Sequence, residues 1–423
     1  MEELLFLSHR IPFPPNKGDK IRSYHLLSHL AKRFVVHVGT FVDDEADWQH
    51  VDQLSRICPG GEVHALPLTR PRALIRSLGG LLTGEALTVP YYRDRRMHRW
   101  VDALLTRRPI QRAMIFSSPM AQYLETHRLL RVADLVDVDS AKWVQYADSA
   151  KDPARRWLYR REGRRLLAYE KHIAATFDQS YFVSAAEAAL FCQLAPDVSS
   201  RVRSFSNGVD ADYFSPEPPF DSPFDECERA IVFTGAMDYW PNVDAVTWFT
   251  ESALPSIRKQ HPGAVFYIVG SRPTAAVSAL ARLDGVRVTG TVPDVRPYLA
   301  HAAVVVAPLR VARGIQNKVL EAMAMGRAVV ATPEAFEGID AVVQQEIVVE
   351  AADGSAFADA VSRELLSPNI GMGQAARERV VSHYAWPVHL SSIIDALDPP
   401  DTGESAAAGE PAMVRRSAHG LAA

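Results

Sequence analysis

Apolar residues fall along this chain in short unbroken runs, separated by longer stretches of mixed polarity. Ala302 to Ala307 and Ala328 to Ala331 are two such runs, and the helix-length segment between them makes the pattern buried strand, loop, helix, buried strand. Strands that are apolar at every position suit a parallel sheet covered on both faces, so this is one βαβ step. In the first half the strand signal recurs at Glu3 to Ser8, Phe34 to Thr40, Val63 to Leu66, Met114 to Phe116, Leu135 to Val138 and Gln179 to Val183. In the second half it recurs at Ala230 to Thr234, Val265 to Val269, Val286 to Thr289, Val304 to Ala307, Val329 to Ala331 and Ile347 to Val349. Strands alternating with helical stretches predict an α/β protein built from two parallel-sheet domains.

The alternation breaks at Asn207-Gly208-Val209-Asp210, where Pro216, Pro218, Pro219 and Pro223 follow closely. Such a cluster marks a hinge, placed at 207–228, between a first domain over 1–206 and a second over 229–383. The Gly-, Ala-, Ser- and Pro-rich segment 399–423 is expected to be disordered.

Candidate chemistry concentrates in Arg313-Gly314-Ile315-Gln316-Asn317-Lys318-Val319-Leu320-Glu321, between the two runs that open this section. Gly314 and the free backbone N–H groups of Ile315 and Gln316 stand at an expected helix N-terminus, where the macrodipole and orphan donors favour a diphosphate. Lys318 lies on the first turn and Glu321 one turn later, so both can face the same side. A carboxylate beside a phosphate site suits a neutral diol, which it can grip through two charge-assisted hydrogen bonds, and a nucleotide ribose offers one. Gly235, at the end of the second domain's first strand, faces the same edge and would allow close backbone approach to that diphosphate.

In the first half, the loop Ser8 to Lys20 carries Gly18 and leads into a helix expected over Ile21 to Arg33. It sits at the C-terminal edge of a parallel sheet, where Lys17, Lys20 and Arg22 could hold an acceptor phosphate; alternatively Gly18 supplies the turn and the cations are solvated. No Gly-x-Gly-x-x-Gly is present, so a nicotinamide or flavin site has no support. Asp137 and Asp139 are expected to end a buried strand and point to the interdomain cleft, where they could hydrogen-bond the hydroxyls of a ligand. Asp139 capping a helix that begins near Ser140 is the structural alternative.

Three stretches interleave Arg with Leu, Trp and Tyr: Arg70 to Leu82, Arg93 to Trp100 and Arg155 to Leu167. Such faces suit an anionic membrane surface or a pyrophosphate-lipid acceptor. A solvated face whose Arg stems cover apolar surface is the bland alternative.

The Arg313 to Glu321 stretch resembles the Glu-x7-Glu segment of retaining glycosyltransferases of family four, which have the GT-B architecture of two Rossmann-like domains facing across a cleft. The resemblance implies that Glu321 holds the ribose hydroxyls of a nucleotide sugar, with Arg313 at the place of the first Glu, beside the donor sugar. It also implies that Gly290-Thr291-Val292 forms the base-binding loop, that Gly18 lies in the acceptor loop, and that a helix over 384–398 crosses back onto the first domain. With Phe-Thr-Gly235-Ala-Met-Asp-Tyr-Trp-Pro-Asn-Val-Asp244 and Val-Asp137-Val-Asp139-Ser-Ala-Lys-Trp143, the chain resembles sugar transferases of exosortase-linked (PEP-CTERM) exopolysaccharide systems in bacteria. Relatives often carry Arg and Lys after Gly235, where this chain has Asp238 and Asn242; Lys318, with Arg310 or Arg313, is expected to compensate.

Composition narrows the picture without redirecting it. The 423 residues, 48% hydrophobic and 23% charged, suit two domains, and a net charge of −4 gives no reason to expect nucleic acid. Cys58, Cys192 and Cys227 form neither a disulfide framework nor a metal motif, which favours a cytoplasmic protein, peripheral on the inner membrane face if the Arg-rich stretches meet lipid. No apolar stretch approaches the roughly 18 residues that span a bilayer, and no signal peptide is read at the N-terminus. The expected activity is sugar transfer from a nucleoside-diphosphate sugar to a glycan or polyprenyl-pyrophosphate-linked acceptor, with retention, no cofactor and no metal. A GT-B nucleotide-sugar epimerase and a non-catalytic nucleotide-sugar-binding scaffold are the alternatives.

Overall fold

The structure is a computed structural model that describes residues 1–217, 219–312 and 315–398. Arg313, Gly314 and the segment 399–423 lie outside the described residues.

Two parallel sheets organise the chain. The first contains β1 (Glu3–Ser8), β2 (Val35–Val42), β3 (Val63–Pro67), β4 (Arg112–Phe116), β5 (Leu130–Val136), β6 (Gln179–Phe182) and β7 (Val202–Ser204), in the order β3-β2-β1-β4-β5-β6-β7. The second contains β8 (Arg229–Thr234), β9 (Ala264–Val269), β10 (Val286–Gly290), β11 (Val304–Ala307), β12 (Val329–Ala331) and β13 (Val348–Val349), in the order β10-β9-β8-β11-β12-β13. In each the order reverses beside the first strand, and an open α/β sheet leaves its ligand crevice at that switch point, outside the strands' C-terminal ends. Strands read as unbroken apolar runs where both faces are covered: Leu4 to Leu7 and Val304 to Ala307 are buried throughout.

Three differences from the sequence expectation are informative. The fifth strand starts at Leu130, five residues before the expected one, and stops at Val136, whose backbone is left-handed (φ 69°). Its pattern is interrupted by Arg131 and by Asp134, a fully buried carboxylate, so an apolar-run criterion sees only its end. The first helix spans Gly18–Leu30 and starts three residues early. The edge strand β7 has three residues, Val-Arg-Ser, too few to show a period.

The last helix, Trp386–Leu397, buries Trp386, Leu390, Ile393 and Leu397 against Leu4, Phe6, Leu26 and Val36 of the first domain. The chain therefore crosses between domains twice, and the crossings touch. Val209 pairs with Ala385, its N–H donating to Tyr384 O at 2.7 Å. A Cβ on Gly208 would stand 2.8 Å from the backbone of Trp386, so only glycine allows this approach.

Candidate functional site

At the C-terminal ends of β8 and β9 a cavity of about 350 Å³ is lined by Thr234, Gly235, Asn242, Gln316, Lys318 and Glu321, among others. Its wall is the first turns of the helix Asn317–Ala324, which the apolar set Val319, Leu320 and Met323 anchors in the core. That anchoring turns Lys318 and Glu321 toward the cavity.

The Lys318 ammonium donates to Asn242 Oδ1 and stands 4.3 Å above the centre of the Phe233 ring. Asn242 is itself oriented, its Nδ2 donating to Ala236 O at 2.9 Å. Burial lowers the Lys318 pKa to about 8, with Glu321 opposing. Burial pushes the Glu321 carboxyl up to about 7, and Lys318 opposes that shift too. No hydrogen bond reaches the Glu321 carboxylate among the described residues. A Cβ at Gly235 would stand 2.7 Å from Asn242 Nδ2 and 3.1 Å from Lys318 Nζ, so the bare backbone lets the polar groups converge.

Glu321 also borders a second cavity of about 410 Å³ between the domains. Ile21, Tyr24 and His25 line it from the first domain, Asp210 and Tyr213 from the linker, and Asn317 from the second domain. The carboxylate thus stands where the cavities meet. A helix N-terminus, a half-desolvated cation and an open carboxylate together can hold an anion with a hydroxyl-bearing group beside it.

Of the other second-domain residues singled out in the sequence, Ile315 is half-buried and packs on the core. Thr291 is exposed and Val292 packs on the same core; the residue of that loop that lines the cavity is Val295. Arg310 is held by Asp244, its Nε donating to Oδ2 at 3.0 Å, so it does not serve as the open compensating cation.

In the first domain the loop cations divide. Lys17 and Gly18 are exposed at the start of the first helix. Lys20 and Arg22 are not open to an acceptor phosphate, because the fold neutralises them internally. Lys20 Nζ lies 2.6 Å from Asp47 Oδ2, and both residues are buried. Arg22 donates to Asp134 Oδ2 at 2.8 Å, to Asn207 Oδ1 at 2.9 Å and to Phe205 O at 3.1 Å, and stacks 3.6 Å above the Phe205 ring. It ties the sheet to the start of the linker.

Asp137 and Asp139 lie beyond the end of β5, and Asp139 is the first residue of the helix Asp139–Ser149 without capping it. Lys142 Nζ sits 2.6 Å from Asp137 and 3.1 Å from Asp139. Burial raises the Asp139 pKa and Lys142 opposes it. Neither aspartate lines the two cavities at Glu321.

The sequence reading takes His9, after β1, as a lone His with a structural rather than a catalytic duty, and passes over Arg10 beside it. Arg10 bonds both Asp43, at 3.0 Å, and Asp19, at 2.5 Å. Beside it His9 is stacked on Phe116 and set edge-on to Tyr92, and burial lowers its pKa to about 4 against the pull of Asp19. Arg10 stands two residues past the end of β1, the signal that could have marked it. Among the described residues no group of three His, Cys, Asp or Glu is placed to hold a metal ion.

Comparison with known proteins bears on the fold and on the second domain. Residues 228–367 match the family model described as glycosyl transferases group 1, a span that holds Gly235, Asn242, Lys318 and Glu321. None of the curated proteins compared with the chain matches it. Among solved structures, the Anabaena protein HepE in complex with UDP aligns with TM-score 0.60 and 15% identity over 94% of this chain and 99% of that one. Sucrose-phosphate synthase from Thermosynechococcus elongatus aligns with TM-score 0.54 and 17% identity over 93% and 97%. WaaG, a glycosyltransferase involved in lipopolysaccharide biosynthesis, aligns with TM-score 0.56 and 18% identity over 94% and 100%. The fold is GT-B, and residues 228–367 of its second domain are similar to the glycosyl transferases group 1 model.

Proposed function

We propose that this chain is a retaining glycosyltransferase that moves a sugar from a nucleoside-diphosphate sugar to a lipid-linked glycan, in exopolysaccharide assembly at the inner face of the plasma membrane. The observation that carries the donor half is that Lys318 and Glu321, whose carboxylate receives no hydrogen bond among the described residues, line one cavity from the first turns of one helix. In this reading the diphosphate lies at the helix N-terminus beside Lys318, and the two ribose hydroxyls donate to Glu321. HepE, of the same fold, is described in complexes with UDP and with UDP-glucose, which supports a donor of that class.

The bond from the anomeric carbon to the diphosphate oxygen breaks, and its electron pair leaves with the diphosphate. The acceptor hydroxyl oxygen bonds the same carbon, and its proton passes to the diphosphate. Negative charge grows on the departing group, and Lys318 with the helix N-terminus stabilises it in place of a metal ion. Arg313 keeps its proposed place beside the transferred sugar, Lys17 with Gly18 forms the acceptor loop, and Asp137 and Asp139, held by Lys142 away from both cavities, would reach the acceptor only on domain closure. Domain closure excludes water and limits donor hydrolysis.

The test is a thermal-shift screen with UDP- and GDP-sugars, followed by product analysis with and without a polyprenyl-pyrophosphate acceptor. A ligand at about 100 times its dissociation constant should stabilise the fold by roughly 2.7 kcal/mol. No shift with any nucleotide sugar would refute the donor site. A sugar product formed without acceptor would replace transfer by epimerisation, and binding without turnover would leave a scaffold.

A further inference from the structure

The helices Asp139–Ser149 and Pro153–Thr176 form a hairpin closed by residues 150–152. The second helix has 24 residues, about 36 Å at 1.5 Å per residue, and ends just before β6, whose four residues span only about 13 Å. Running back beside so short a strand, it starts roughly 20 Å beyond that strand's C-terminal end. The tip of the hairpin therefore overhangs the sheet edge that Pro15 and Ile21 bring to the interdomain cavity.

The hairpin is firmly built. A Cβ on Gly163 would stand 3.0 Å from Ser140 O and from Val144 Cγ2, so glycine lets the two helices close up. Glu162, buried, accepts from Leu87 N at 2.6 Å and from Thr88 N at 2.9 Å, which fixes the second helix to the turn beside it.

Near the tip, Trp143, Tyr146 and Tyr159 form a cluster with ring centroids 5.3 to 6.4 Å apart. Trp143 packs on Ala86, Val89 and Leu166, while Tyr146 is 54% exposed. Tyr146 and Tyr159 line a cavity of about 560 Å³ with Ser149, Lys151, Asp152 and Arg155. Among the described residues neither phenol hydroxyl nor the Trp143 indole N–H makes a hydrogen bond, and Lys151, exposed, has no ion pair. Asp152 is spent as a helix cap, accepting from Ala154 N and Arg155 N. On the first helix Asp139, Lys142, Trp143 and Tyr146 follow at i, i+3, i+4 and i+7, one face that runs from the end of β5 to the tip.

The mixture of groups selects the occupant. A sugar ring has a face of C–H bonds that stacks on an aromatic ring and a rim of hydroxyls that bonds polar tips. An acyl chain or an apolar peptide would match the rings but strand Ser149 and Lys151 away from water.

We propose that the cavity at the tip of this hairpin is a saccharide subsite, in which Tyr146 and Tyr159 stack on sugar rings of the acceptor glycan and Ser149 and Lys151 bond their hydroxyls. The subsite rests on the glycan acceptor proposed above, and it holds rings remote from the hydroxyl that reacts. From the tip, the glycan runs down the Tyr146 to Asp139 face toward the cleft. Its binding needs neither donor nor turnover.

The experiment is an array of defined bacterial oligosaccharides probed with the labelled full chain, followed by saturation-transfer NMR on the tightest ligand, without nucleotide sugar. Wild type should bind at least one oligosaccharide, with saturation strongest on its ring C–H protons. Tyr146→Ala with Tyr159→Ala should weaken that binding by about ten-fold or more, and Tyr146→Phe with Tyr159→Phe, which keep the stack, by a smaller factor. Tyr146→Ala alone, at an exposed position, should melt as wild type does and still bind several-fold more weakly. No oligosaccharide bound by wild type, or equal binding by wild type and Tyr146→Ala, overturns the proposal. A thermal shift with nucleotide sugars on the same proteins keeps the two proposals apart. Glycan binding without that shift refutes the donor site alone, and a shift without glycan binding refutes the saccharide subsite alone.

Discussion

In the first domain, Lys20 and Arg22 are each buried beside a carboxylate that matches them, Asp47 and Asp134. In the second, Lys318 is half-buried against the amide oxygen of Asn242, and Glu321 has no donor among the described residues. The first arrangement is complete within the chain. The second leaves a cation and a carboxylate poorly solvated and open to a cavity. Desolvated charge is costly, and a fold that keeps it unmatched leaves binding energy for a molecule that completes the set. The contrast separates structural cations from ligand-binding ones by what surrounds them, where residue type and position in a loop could not.

The largest effect should come from breaking a completed pair. Arg22→Met leaves Asp134 buried alone, and removal of one partner of a buried pair costs about 3–5 kcal/mol. Urea unfolding should show that loss, while Lys318→Met should unfold within about 1 kcal/mol of wild type. If both variants unfold alike, the contrast between the domains is wrong.

Next in size is the open carboxylate. Glu321→Gln keeps helix propensity but removes charge and an acceptor, so kcat/KM for the donor should fall by one to a few orders of magnitude, on the order of 2–4 kcal/mol. Near-normal donor kinetics in a folded variant would make Glu321 a mere neighbour of Lys318.

A smaller effect lies in pH. Burial raises the folded Glu321 pKa to about 7, well above that of an exposed glutamate, so the native state holds this proton more tightly than the unfolded chain does. Its contribution therefore worsens as pH rises from about 4.5 to about 7, and the full cost is present above that window. Glu321→Gln should match wild type near pH 4 and exceed it by up to roughly 3 kcal/mol at pH 8 without ligand. A constant difference across that range would contradict the desolvated carboxylate. In the acceptor reaction the ionised form is required, so donor use should rise through the same window.

The smallest expected effect is none. With Lys318 and the helix N-terminus carrying the diphosphate charge, sugar transfer should survive EDTA. Loss of activity that magnesium or manganese restores would move the charge-stabilising role to a metal.

Much of the fold was legible because its strands are uniformly apolar. Val304–Ala307 and Val329–Ala331 needed no tertiary information, and the turn between them placed Lys318 and Glu321 on one helix face. The strand Leu130–Val136 was misplaced because Asp134 is charged and buried, which only Arg22, 112 residues away in sequence, makes tolerable. Ignorance of that partner also made Arg22 look like an acceptor ligand. Lys20 misled in the same way, its carboxylate standing 27 residues further on. Local pattern reports burial and periodicity; it is blind to which distant charge answers a given one. The exposed stripe of Leu74, Ile75, Leu78 and Leu82 was visible as composition, but only the packing of Ala73, Ser77 and Gly80 shows which way it faces.

The paired crossings at Val209 and Ala385 bear on mechanics. A single tether would leave the domains free to tilt, swing and twist; two chain segments bonded side by side, with Trp386 pressed on Gly208, resist tilt and twist and leave one soft rotation. We expect the domains to move like the leaves of a book, about an axis along that ribbon. Spin-label pairs across the cleft should then shift in proportion to their distance from the axis when a nucleotide sugar is added. Shifts uncorrelated with that distance would mean that the ribbon carries no torque.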